Sequence, residues 1–129
     1  MTSVATGEST PPSALLAEAR NLVERPTSGT VGLWPRAAAL LARRALEEAL
    51  DRLWSRRAPG LERANARAQL ACLPEYLGDQ VLAWEIVFTW SALSSACHHH
   101  AYELAPTAAE LERRLDVVSR LVEKLEGVA

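Results

Sequence analysis

Residues 90–111 read Trp-Ser-Ala-Leu-Ser-Ser-Ala-Cys-His-His-His-Ala-Tyr-Glu-Leu-Ala-Pro-Thr-Ala-Ala-Glu-Leu. Pro106 disfavours helical geometry in the residue before it, so a helix is expected to end near Ala105. Thr107 and Glu110 then form a capping box ahead of an apolar run, each side chain satisfying the other residue's free backbone N–H. The stretch is therefore the end of one helix, a tight corner and the start of the next. Its three histidines, with a tyrosine, a glutamate, a thiol and several serines, occupy the last turns of the first helix.

Working outward, the same grammar covers the chain. Helices are expected at about 13–25, 35–57, 61–72, 79–104 and 108–126. Leu15, Leu16, Ala19, Leu22 and Val23 form the first apolar stripe, and Leu111, Leu115, Val118, Leu121, Val122 and Leu125 the last. Pro35 suits a first helical turn, Pro59-Gly60 ends the second helix, and the third stops before Pro74. The second helix carries a Leu edge (Leu46, Leu50, Leu53, Trp54) beside a small-residue edge (Ala38, Leu41, Ala42, Ala45, Ala49). That added apolar width predicts a two-fold homodimer burying part of this helix. No stretch alternates like a strand. Long amphipathic helices with short connections predict an all-α, up-and-down bundle of four to five helices. One domain spans residues 13–126, behind a disordered tail at 1–12.

Composition excludes several classes. A net charge of -2 argues against bulk electrostatic wrapping of nucleic acid. The charge is polarised, with eight arginines against four acids over residues 36–67, and nine acids against four bases from Glu75 onward. The start of the chain has no basic, apolar leader, and no run is apolar enough to span a membrane. Cys72 and Cys97 have neither zinc-site nor redox-motif spacing, so buried free thiols in a cytoplasmic protein are expected.

At about 100° per residue the fourth helix sorts into faces. Leu82, Ile86, Leu93, Cys97, His100 and Leu104 form a core stripe, which makes His100 a packed histidine. His99 and Glu103 share a second face, one turn apart. His98, Tyr102, Ser91, Ser95 and Trp84 share a third, a polar groove suited to a ligand or a partner helix. The histidines thus point three ways. His99 and Glu103 supply two metal ligands and no second cluster completes the set, so no metal is expected. Phosphate loops and dinucleotide fingerprints are absent, and no cofactor is expected.

Architecture over residues 35–126 and the histidines of 90–106 resemble the HEPN superfamily. That resemblance implies four-helix bundles that dimerise, many being RNA-cleaving toxins or accessory subunits of defence and toxin systems. Active members carry an arginine four to six residues before the catalytic histidine. Here Ser94 and Ser95 stand in that place before His100, so the fixed guanidinium that would stabilise charge building on phosphorus is missing. The resemblance thus implies a non-catalytic nucleotide-, RNA- or partner-binding module. Ser95, His98 and Tyr102 would form its ligand surface, with Arg43 or Arg52 of the second helix as cations. A metal-independent ribonuclease using His98, His99, Tyr102 or Glu103, and a purely structural assembly module, are the alternatives.

Overall fold

The computed structural model describes residues 10–26, 29, 32–98 and 104–127. Five α-helices account for most of them: α1 (Pro12–Glu24), α2 (Trp34–Arg57), α3 (Ala66–Leu77), α4 (Gln80–Cys97) and α5 (Ala108–Gly127). A 3-10 turn, Leu61–Arg63, lies between α2 and α3, and no strand occurs among the described residues. The chain is an all-α bundle, as its periodicity predicts.

α2 is the central helix and packs against α1, α4 and α5. Its Leu edge and its Ala edge both face inward, with Leu46, Ala38, Ala42 and Ala45 all 0% exposed. The small-residue edge is therefore internal and is not offered to a second copy of the chain. Methyl side chains let helices approach closely, and α1, which contributes its own buried Ala19, shares the most extensive contact with α2. Between α1 and α5, Arg20 donates to Asp116 at 2.9 Å and to Ser119 at 3.1 Å. Between α4 and α5, Arg120 grips both carboxylate oxygens of Glu85 at 2.9 and 3.1 Å.

Three helix boundaries differ from expectation. α3 starts later, at Ala66, where Asn65 accepts from the Ala68 N–H at 2.8 Å as an N-cap. It then runs through Pro74 to Leu77 instead of stopping before the proline. Burial of Leu73 and Leu77 on either side, and the edge-on packing of Tyr76 against Trp54 with ring centroids 5.8 Å apart, outweigh the lost backbone bond. Gly78, at φ 72°, then closes the helix in the left-handed conformation that favours glycine.

α4 ends at Cys97, about two turns before the expected boundary. His98 leaves helical geometry at φ -100°, ψ 68°, and its N–H is shared between the Ser94 and Ser95 carbonyls at 3.3 and 3.1 Å. Leu104, expected on the core stripe, is 98% exposed and outside any helix.

The capping box is present as read: Thr107 N–H donates to Glu110 Oε1 at 2.8 Å, and Glu110 N–H to Thr107 Oγ1 at 3.1 Å. The bonds that Thr107 donates to it, first from its backbone N–H and then from its hydroxyl, hold the Glu110 carboxyl below its ordinary value of 4.5. A lowered folded-state pKa contributes stability that is full above the ordinary value and lost as pH falls through the folded one. Thr107→Ala should lower stability by about 1 kcal/mol at neutral pH, whereas Glu110→Ala, which removes the carboxylate itself, should differ from the wild type by less as pH falls below 4.5. Urea denaturation at several pH values checks both.

Candidate functional site

Of the polar residues singled out in the sequence, Ser95 and His98 lie where the C-terminus of α4 meets the N-terminus of α2. The helices run antiparallel, and Arg36, in the first turn of α2, reaches across to donate from Nε to the Cys97 carbonyl at 3.0 Å. The last carbonyls of a helix lack intrahelical partners and carry partial negative charge, so a guanidinium is favourable there. The next residue is His98, which is exposed. Ser95, one turn back, is also exposed and lines a small groove of about 120 Å³ together with Arg36, Gly32 and Pro106. Arg36, Ser95 and His98 thus stand at one end of the bundle. A second groove, of about 440 Å³, shares Ser95 and Pro106 and continues past Glu110 and Arg114 of α5.

Of the arginines expected to serve this end, neither is the one that does. Arg43 sits farther down α2, where its Nε donates to Glu47 at 3.1 Å and its guanidinium lies 5.8 Å from the Trp90 ring centroid. Trp90 in turn donates its indole N–H to Glu47 at 3.2 Å. Arg43 is therefore tied into a buttress between α2 and α4. Arg52 is exposed and lies 16 residues beyond Arg36 on the same helix, roughly 24 Å along its axis. Arg36 is the basic residue that sequence reasoning missed. Its signal was its position one residue after Pro35, which places it at the open end of α2.

The structure also separates the serines. Ser94 Oγ is buried with no hydrogen-bond partner among the described residues, whereas Ser95 faces solvent. His99, His100, Tyr102 and Glu103 lie outside the described residues. Among the described residues no three of His, Cys, Asp and Glu are close enough to share a metal ion, and no helix is long and apolar enough to cross a membrane. Cys72 and Cys97 are free and half-buried rather than fully buried.

A further feature takes in Trp84 and Ser91 of the expected polar face but is mostly apolar. The outward side of α4 exposes Val81, Trp84, Val87 and Phe88. Arg114 of α5 covers Phe88 from one side, its guanidinium 4.9 Å from the ring centroid. On the other side, a groove of about 470 Å³ separates α4 from α3. No family model, curated protein or solved structure matches the chain.

Proposed function

We propose that the protein is a HEPN-like, non-catalytic binding module that holds the phosphate of a nucleotide or RNA at the bundle end formed by Arg36, Ser95 and His98. The observation that carries this reading is the reach of Arg36 to the α4 C-terminus. It brings a guanidinium from another helix to the residue before His98, where α4 itself carries none. A guanidinium fork matches phosphate oxygens in charge and geometry, and Ser95 and His98 add hydroxyl and imidazole groups on the same exposed end. Arg43, two turns farther along α2, is held by Glu47 and Trp90 and so is not free to serve here. In this reading the module works as a homodimer, and its half-buried free thiols suit a reducing cytoplasm.

The test is fluorescence anisotropy with labelled transfer RNA at low salt. Wild-type protein should bind without cutting. Arg36→Glu should weaken binding about tenfold, the loss expected for one charge-assisted contact. His98→Ala should weaken it less and leave stability within about 0.5 kcal/mol, since the side chain is exposed. Cleavage that His98→Ala abolishes would replace this reading with the ribonuclease one. Absence of any RNA or nucleotide binding would leave an assembly module.

A further inference from the structure

α4 presents more apolar surface outward than the bundle uses. Val81, Trp84 and Phe88 are 72%, 67% and 63% exposed, and Val87 is 38% exposed. The first three recur at three- and four-residue spacing, which stacks them along one side of the helix. Beside them lies the groove between α3 and α4. Ala71 and Ala83 give it small-residue walls, and Trp84, Trp90, Pro74 and Arg67 also line it. Only Gly78 and Asp79 connect the two helices, so they run antiparallel. Arg67 and Ser91 therefore stand toward one end of the groove, and Pro74 and Trp84 toward the other.

We infer that this face receives a second copy of the chain, with α4 packed antiparallel on α4 about a two-fold axis level with Ala71 and Val87. The inference rests on the homodimer reading above and supplies its face. A two-fold contact demands that one surface be complementary to itself. Here a protruding indole and a small-walled groove share one surface. Turning the surface about that axis carries Trp84 of each copy over the other copy's groove, toward its Arg67–Ser91 end.

The charges obey the same symmetry. On α3, Arg67, Ala71 and Glu75 follow one another at four-residue intervals, share one side of the helix and are all exposed. Reversal about Ala71 sets each Arg67 against the other copy's Glu75, so unlike charges meet twice. At about 150–250 Å² for an exposed aromatic side chain, the four apolar residues offer on the order of 400 Å² per copy, half of the roughly 800 Å² per partner in a stable interface. The remainder falls to α3, whose exposed Arg67, Ala71 and Glu75 lie beside the groove.

Light scattering on the full chain, over a concentration series, tests this. Wild-type protein should give twice the 14.1 kDa monomer mass. Trp84→Glu should give a monomer with an unchanged far-UV circular dichroism spectrum. Arg67→Glu should raise the dimer dissociation constant about tenfold, and the swap Arg67→Glu with Glu75→Arg should restore it to within about threefold. A monomeric wild type would overturn both the dimer reading and this face. A dimer that survives Trp84→Glu would leave the dimer standing and overturn the face. An Arg67→Glu defect that the swap does not repair would overturn the register.

Discussion

Trp54→Ala should lower the unfolding free energy by about 3–5 kcal/mol, the range for removing a large buried aromatic side chain. Trp54 is 0% exposed and the largest fully buried side chain in the bundle. It sits near the end of α2, where Tyr76 of α3 meets it edge-on with ring planes 88° apart. The ring thereby joins the central helix to the part of α3 that lies beyond Pro74. Alanine would leave a void between helices that cannot close without moving α3. One detail separates packing from polarity: Trp54 Nε1 is buried without a hydrogen-bond partner among the described residues. A buried unpaired N–H carries a desolvation cost of about 1–3 kcal/mol. Trp54→Phe deletes that N–H while keeping an aromatic ring against Tyr76, so its net cost should be under about 1.5 kcal/mol. Urea denaturation followed by far-UV circular dichroism reads both variants. Equal losses for Phe and Ala would show that the full indole outline, and not the ring contact with Tyr76, is what the core requires.

How far the sequence carries depends on whether the deciding contact is local. Thr107 and Glu110 are three residues apart, and their reciprocal bonds are legible because a capping box closes within one turn. The inward stripes of α1, α2 and α5 are legible for the same reason, since periodicity alone sorts their faces. The end of α4 is not legible. Its terminal carbonyl is satisfied by Arg36, 61 positions away, and the influence of Pro106 reaches only its immediate predecessor. The continuation of α3 through Pro74 likewise depends on Trp54, which is distant in sequence. The outward face of α4 was legible only in part: Trp84 falls on the expected polar face, but Val81, Val87 and Phe88 beside it were not assigned to it. Val81, Ala83, Trp84, Ile86, Val87 and Phe88 crowd apolar side chains around the helix, so no sharp moment marks which side faces solvent. Among the expected site residues, Ser95 and His98 do share the bundle end, but the arginine beside them had to come from another helix. Sequence spacing alone could not choose Arg36 over Arg43 or Arg52.

Ala42→Leu should destabilise the monomer fold by about 1–3 kcal/mol and leave the oligomeric mass unchanged. Read along the sequence, the Ala edge of α2 suits either a close helix pair or a dimer contact, and the two make opposite forecasts for this substitution. In the structure Ala38, Ala42 and Ala45 are each 0% exposed inside a single core. An isobutyl group at position 42 has no space to enter and must push a neighbouring helix away, because interiors packed to crystal-like density lack voids of that size. Had the edge been a dimer surface, leucine would instead have left the melting temperature nearly unchanged and altered the mass. Leu40→Ala, two residues earlier on the same helix, is the control. Leu40 is 51% exposed, so its truncation should shift stability by no more than about 0.5 kcal/mol. Thermal melts of both variants, with light scattering on the same samples, decide the matter. A stable Ala42→Leu protein of altered mass would place the Ala edge at the interface and move the second copy from α4 to α2.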